Sequence, residues 1–204
     1  NNGNGTLDAV QIEVDGLNNG LRVATVAWGD FDKDGDLDIL TNGSTGPNQL
    51  RVYKNLGDGT IDATQIEVDG AGNGLSNSSV NWGDFDTDGD LDILVSGTSG
   101  TNGQLRVYKN KNDGTFDTAQ IEVDGAGSGP YSGGVSWGDF DNDGDLDVLS
   151  SGIPPGGVRI QVHLNNGNGT FNATQLEIDG SSGGLYFGNV VWGDFDNDGD
   201  LDIL

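Results

Sequence analysis

The sequence predicts an all-β fold, a β-propeller of four-stranded antiparallel blades, on three observations. The stretch WGDFDKDGDLDIL at 28–40 returns with one or two substitutions at 82–94, 137–149 and 192–204, so that its Trp residues are spaced by 54, 55 and 55. No window shows the i, i+3, i+4 apolar spacing of a helix over three turns. Glycine accounts for 37 of the 204 residues, which disfavours helices and suits many tight turns.

Two further markers recur between the copies of this stretch. The first marker is a short glycine-rich turn, present as NGNGT (2–6), LGDGT (56–60), KNDGT (111–115) and NGNGT (166–170). The second marker is QIEVDG (11–16, 65–70, 120–125), which becomes QLEIDG (175–180) in the last copy. A constant period close to this length is typical of repeat architectures, propeller blades among them. We therefore expect one propeller domain over 1–204, with about four repeats of 54–55 residues at 1–54, 55–109, 110–164 and 165–204.

Each unit predicts four short strands, shown here for the first complete one. The first strand, VATVAWGDFD (23–32), leads into the acidic loop, and the second, DILTNG (38–43), follows that loop. The third strand is QLRVYKN (49–55) and the fourth is ATQIEVDG (63–70), with glycine-rich turns between the strands. Blades in a ring are covered on both faces by their neighbours. We therefore expect Trp28 and Phe31, which project to opposite sides of one strand, both to be buried.

The last blade is predicted to be incomplete or split between the termini. The fourth unit stops at Leu204 after its second strand, and residues 1–16 supply a fourth strand, so the joined blade lacks a third. Residues beyond Leu204, a larger ring or another chain would complete this edge, because an uncovered edge strand invites pairing. Self-association that completes the ring is thus one expected partnership.

The charge balance excludes several classes of partner. Lys and Arg total 8 against 33 Asp and Glu, for a formal net charge of -25, so nucleic acid and anionic membrane surfaces are not expected partners. No apolar run approaches the roughly 20 residues of a membrane span. The chain has no Cys and one histidine, His163, which leaves no soft site for zinc or copper.

The acidic loop instead offers a set of oxygen ligands. Positions 1, 3, 5 and 9 of the first loop are Asp30, Asp32, Asp34 and Asp38, whose side chains can act as ligands. Gly35 allows the sharp turn, and Asp36 at position 7 is placed to offer its backbone carbonyl to the same ion. Six to eight oxygens suit Ca²⁺ better than the smaller octahedron of Mg²⁺. We expect about four Ca²⁺, one per loop, since the same positions are held by Asp84, Asp86, Asp88, Asp90, Asp92, Asp139, Asp141, Asp143, Asp145, Asp147, Asp194, Asp196, Asp198, Asp200 and Asp202.

Two other interpretations of the loop are weaker. Like charges about 4 Å apart repel by about 4 kcal/mol at an effective dielectric of about 20, so a solvated turn would spread these carboxylates apart. An EF-hand needs Glu at loop position 12 and a following helix, whereas Thr41, Val95 and Ser150 stand there and strand-like residues follow.

The chain resembles the FG-GAP/VCBS repeat family, the calcium-binding blades also found in integrin α-subunit propellers. The D-F-D-x-D-G-D-L-D loop with its flanking apolar residues, present four times, carries the resemblance. The family implies a propeller with Ca²⁺ in the hairpin loop between the first two strands of each blade, in an extracellular or cell-surface setting. Integrin-type propellers have seven blades, so the four units here leave the number of blades open.

We therefore expect a non-enzymatic adhesion or ligand-binding module with an extracellular protein or glycan as its partner. A carbohydrate-binding lectin is the alternative, and binding of calcium minerals is a third, weaker hypothesis. The repetition of the carboxylate pairs in every unit favours metal ligation over a glycosidase. Specificity is expected in the loops that differ between units, where Tyr131, Tyr186 and Phe187 occur.

Overall fold

The structure, a computed structural model, describes residues 12, 14, 20–44, 46–70, 72–179, 185 and 187–204. Every regular element among these residues is a β-strand. Within the same residues, no helix has the length and apolarity that crossing a membrane would require.

The strands form separate antiparallel sheets, each beginning with a Trp-containing strand. From here on, a unit is one such sheet with its loops, so its fourth strand lies past the predicted boundary at 54, 109 or 164. Three sheets are four-stranded, each in the order in which its strands follow along the chain, and the fourth is two-stranded among the described residues. The predicted fold class is confirmed. The strands are β1 (Arg22–Gly29), β2 (Asp38–Ser44), β3 (Asn48–Tyr53), β4 (Ile66–Glu67), β5 (Ser76–Gly83), β6 (Asp92–Ser99), β7 (Asn102–Tyr108), β8 (Ile121–Glu122), β9 (Val135–Gly138), β10 (Asp147–Gly152), β11 (Arg159–His163), β12 (Leu176–Glu177), β13 (Trp192–Gly193) and β14 (Asp202–Ile203).

The hairpin that carries each acidic loop has the same register in every unit. In the first unit Trp28 pairs with Ile39 and Gly29 with Asp38, and in the fourth Trp192 pairs with Ile203. The last aspartate of each loop therefore lies inside the sheet, while the others lie in the connection. The fourth strands are shorter than predicted: in the first unit only Ile66–Glu67 of the expected 63–70 is strand, and Gly70 has φ of +77°, outside the extended region.

The first strand of each unit lies nearest to the axis of the propeller. A cavity of about 380 Å³ is lined by Thr25 and Val26 of β1, Val80 of β5, Val135 of β9 and Val190 of the fourth unit. Because residues of all four units face one cavity, the sheets are arranged around a common centre, as blades are in a propeller.

The hydrophobic core lies between neighbouring blades. The ring of Phe31 packs 6.3 Å from that of Trp82 in the next unit, measured between centroids, and the rings of Phe140 and Trp192 are 5.6 Å apart. The glycine after each of the first three Trp residues is required by this packing, since a Cβ on Gly29 would lie 2.6 Å from Cδ1 of Trp82. The Trp-Gly pair and the Phe of WGDFD are thus the two sides of one interface.

The expectation that Trp28 is buried is wrong. Phe31 is only 2% exposed, as predicted, whereas Trp28 is 60% exposed. Phe31 packs against the second unit, but no preceding unit covers Trp28 among the described residues. The strand expected at 1–16 lies almost wholly outside the residues that the structure describes, so closure of the ring stays a prediction.

Candidate metal centre

Each acidic loop is held in one conformation by its own carboxylates. In the first loop the Gly35 amide donates to Oδ2 of Asp30 (3.0 Å), and the Asp36 amide donates to Oδ1 of Asp34 (3.1 Å). Gly35 has φ of +94°, a conformation that an L side chain rarely adopts. The equivalent glycine amides, those of Gly89, Gly144 and Gly199, donate in the same way to Asp84, Asp139 and Asp194.

The last aspartate of the loop is buried and anchors the loop to the sheet. Asp38 is fully buried. Its Oδ2 accepts from the Phe31 amide (3.1 Å), and its Oδ1 accepts from the Asn55 amide (2.8 Å), which follows the third strand. Asp92 and Asp147 repeat both bonds, with distances of 2.8 to 3.0 Å.

Three carboxylates of each loop converge on one point. Oxygens from positions 1, 3 and 9 lie within 4.8 Å of one another in every loop. In the first loop, Oδ1 of Asp30 and Oδ1 of Asp32 are buried and have no hydrogen-bond partner. Asp84 and Asp86 of the second loop leave the same atoms unpartnered. The triads are Asp30, Asp32 and Asp38; Asp84, Asp86 and Asp92; Asp139, Asp141 and Asp147; and Asp194, Asp196 and Asp202.

The side chains at positions 5 and 7 lie outside these triads. Oδ2 of Asp34 lies 3.1 Å from the Lys54 ammonium, and its Oδ1 accepts from the backbone as described above. The carboxylate of Asp36 lies beside Gly57. In the second loop the carboxylate at position 7, Asp90, pairs with Lys33 at 2.5 Å. The structure thus brings twelve of the twenty predicted ligands together through their side chains, and a backbone role at position 7 stays a prediction.

Burial makes the innermost carboxylate costly to ionise. The pKa of Asp92 is raised to about 7, chiefly by desolvation and less by the charges of Asp86 and Asp88, although the two amides that donate to it lower it. Burial likewise raises the pKa of Asp38 and of Asp147. A cation next to these carboxylates would offset that cost by favouring their charged form.

Comparison with known proteins agrees with this geometry. A model of the FG-GAP-like repeat matches residues 43–95, 96–150 and 153–204, which is more than half of the chain. The chain belongs to the FG-GAP-like repeat family. The matched segments each contain one acidic hairpin, with the third and fourth strands of one unit preceding the loop of the next.

The fold of this FG-GAP-like repeat protein is also found in a solved lectin structure from Agrocybe aegerita, described as the structural basis of specific recognition of non-reducing terminal N-acetylglucosamine. The TM-score is 0.59 at 20% sequence identity, and the match covers 90% of this chain and 47% of the lectin chain. The FG-GAP-like chain therefore spans about half the length of that lectin. No curated protein sequence matches it.

One repeated residue of the site was missed by the sequence reasoning. Asn110 follows the third strand, and its Nδ2 donates to the carbonyl of Phe31 in the preceding unit (2.9 Å) and to that of Leu91 in its own loop (3.3 Å). Asn165 makes the equivalent bonds to Phe85 and Leu146. The signal was present, since Asn recurs at 55, 110 and 165, two residues after the end of each third strand.

A polar cavity of about 390 Å³ opens between the second and third blades, lined by Asp124, Arg159, Gln161 and Glu177 among others. The preceding boundary differs, because there the hydroxyl of Tyr108 donates to Asp69, the counterpart of Asp124 (2.7 Å). In the third unit that tyrosine is replaced by His163. Burial raises the pKa of Asp124 to about 6.

The remaining predicted residues do not form one site. Phe187 is 68% exposed and lines the central cavity. Tyr131 lies instead beside Gly103 of the second blade, and Tyr186 lies outside the described residues. His163 is a buried strand residue whose Nε2 bonds to Ser150 Oγ at 2.9 Å.

Proposed function

We propose that this FG-GAP-like repeat protein is a calcium-binding β-propeller that acts outside the cell as a non-enzymatic adhesion or ligand-binding module. The observation that carries the proposal is the convergence of three carboxylates in each loop, with buried oxygens in the first two loops that nothing in the described chain satisfies. Unpartnered buried charges of this kind are costly unless they are paired or coordinate a metal.

The donor set fits a hard divalent cation. All converging atoms are carboxylate oxygens, and the loop turns that hold them are fixed by backbone hydrogen bonds. Three carboxylates with backbone and water oxygens match the flexible coordination of Ca²⁺. Bound Ca²⁺ would neutralise the repulsion within each triad and couple the folding of each first hairpin to the ion.

A binding role is favoured over catalysis because the acidic groups repeat with the fold. The same three positions recur in all four units, as a structural element does. His163, the only histidine, is buried among strand residues and faces no cavity described above. The expected partner is an extracellular protein or glycan, and extracellular calcium modules bind with Kd near 10⁻⁴–10⁻³ M.

Removal of calcium tests the proposal. We expect EDTA to lower the melting temperature by more than about 10 °C, with recovery on addition of Ca²⁺ and weaker recovery with Mg²⁺. Asp32→Asn should lower the calcium stoichiometry measured by calorimetry, whereas Asp36→Asn is the matched control because that side chain lies outside the triad. Unchanged melting with EDTA, together with no calcium heat, would refute the proposal.

A lectin is the second candidate, favoured by the polar cavity between the second and third blades. Asp124, Arg159 and Gln161 offer acceptors and donors of the kind that bind sugar hydroxyls. A glycan array tests this candidate, with Gln161→Ala expected to remove the signal and the equivalent change Arg51→Ala in the first blade to leave it. Turnover of chromogenic glycosides by the wild-type protein would contradict the non-enzymatic proposal.

A further inference from the structure

Lysine side chains contact two of the acidic loops but not the third. The ammonium of Lys54, at the end of β3, contacts Oδ2 of Asp32 and lies 3.1 Å from Oδ2 of Asp34. Lys109, at the same place in the second unit, contacts Oδ2 of Asp86. The third unit has Leu164 at this position, directly before the repeated asparagine.

Leu164 faces the apolar interior rather than the loop. It packs partly buried against the core cluster that contains Leu149, Val162 and Val190. No Lys or Arg is ion-paired with the third loop among the residues that the structure describes. The third triad thus has the same carboxylates and the same turn as the first two, without their fixed cation.

The two lysines leave the inner oxygens of the triads open. In both loops the ammonium occupies Oδ2 of the position-3 aspartate, whereas Oδ1 of Asp32 and Oδ1 of Asp86 remain buried without a partner. The lysine therefore neutralises part of the charge of the ligand without filling the place that a metal would take. A divalent ion in that place would lie close to the ammonium and be repelled by it.

We propose that Lys54 and Lys109 set the calcium affinity of the first two loops below that of the third, so that the loops fill in order of affinity. The inference rests on the proposed calcium binding. A double charge about 6 Å from a single like charge is repelled enough, even at the dielectric of water, to weaken binding about tenfold. The same lysines stabilise their loops when no calcium is present, since they offset repulsion between the carboxylates.

The glycine of each loop provides a separate reporter for each site. The amides of Gly35, Gly89 and Gly144 each donate to the first aspartate of their own triad, so their ¹H–¹⁵N resonances respond to the ion in that loop. We expect a titration of the full chain with CaCl₂ to saturate Gly144 at about tenfold lower free Ca²⁺ than Gly35 and Gly89. The fourth loop is not part of the comparison, because its equivalent position falls beyond Leu204.

Exchange of residues between the units tests whether the lysines cause the difference in calcium affinity. Lys54→Leu should tighten the site reported by Gly35 about tenfold, Lys109→Leu should do so for Gly89, and Leu164→Lys should weaken the site reported by Gly144. Lys111→Leu is the control, since it removes the same charge from an exposed residue that pairs with none of the acidic loops. In EDTA, Lys54→Leu should melt at a lower temperature than Lys111→Leu.

The outcomes separate this inference from the proposed function. If none of the glycine amides responds to CaCl₂, calcium binding itself is refuted. If all three respond at one calcium concentration, or if Lys54→Leu and Lys109→Leu change affinity no more than Lys111→Leu does, calcium binding stands and the role of the lysines is refuted. If Lys54→Leu does not fold, Lys109→Leu and Lys54→Gln give the same comparison.

Discussion

The second and fourth units contain nearly the same loop and differ in what covers it. In the fourth loop the Phe195 amide donates to Asp202 at 2.8 Å and the Gly199 amide to Asp194 at 3.1 Å, as their counterparts do in the second. Phe195 is nevertheless 78% exposed, whereas Phe85 is fully buried. The loop conformation is therefore local, while the burial of its phenylalanine comes from the next unit along the ring.

This difference bears on the metal site as well. The three carboxylates converge in both loops, but all three are exposed in the fourth unit and partly or fully buried in the second. Ionised carboxylates in a buried triad are destabilised more by desolvation when no ion is bound, so a bound ion stabilises the buried triad more than the exposed one. The neighbouring unit thus changes the energetics of a site to which it contributes no carboxylate.

The largest expected effect on the free energy of unfolding comes from removal of the phenylalanine ring that packs between blades. Phe85→Ala should lower the free energy of unfolding by about 3–5 kcal/mol, because it leaves a cavity beside Trp137 and Phe171. Phe195→Ala should cost less than about 1 kcal/mol, because most of that ring is already in water. Urea unfolding at fixed Ca²⁺ measures both, and equal losses would show that a further unit covers Phe195 in solution.

A smaller effect is expected where the third unit departs from the second, with His163 in the place of Tyr108. Burial lowers the pKa of His163 to about 4. Unfolded histidine titrates near 6.5, so its contribution to stability is complete above about pH 6.5 and is lost as the pH falls toward 4, by about 3 kcal/mol in total.

His163→Tyr removes this titration and supplies a hydroxyl like that of Tyr108, which bonds to Asp69. The difference in unfolding free energy between variant and wild type should therefore grow in favour of the variant as the pH falls from 6.5 to 4. Denaturant titrations at several pH values in EDTA measure this difference. A difference that does not change with pH would contradict the assignment of a buried neutral imidazole.

The smallest expected effect concerns the asparagine that joins neighbouring units. Asn110→Ala leaves the carbonyl of Phe31 without its donor in a buried place, which should cost about 1–3 kcal/mol. Asn55→Ala removes a bond to Leu37 and the bond that Oδ1 accepts from the Gly57 amide, both exposed and within its own unit, and should cost about 1 kcal/mol or less. If thermal or urea unfolding gave equal losses of stability for the two variants, the hydrogen bond from Asn110 to the preceding unit would contribute nothing to stability.

Much of the fold could be predicted because it depends on local sequence patterns that repeat along the chain. The acidic turn follows from the glycine at position 6 and from carboxylates that bond to amides two to seven residues away. The contacts of Asn110 could not be predicted in the same way, since the carbonyl of Phe31 lies 79 residues earlier in the chain. The burial of Trp28 was wrongly predicted because it depends on a neighbouring blade and not on its own strand.

The sequence by itself determined the repeat, the antiparallel hairpins and the composition of the acidic loops, because these depend on spacing, on turn residues and on short-range hydrogen bonds. Only the tertiary structure decided which carboxylates converge, which loops receive an ammonium from Lys54 or Lys109, and which phenylalanine is covered. Those features depend on side-chain direction and on residues brought together from distant strands, and a repeated motif does not specify either of them.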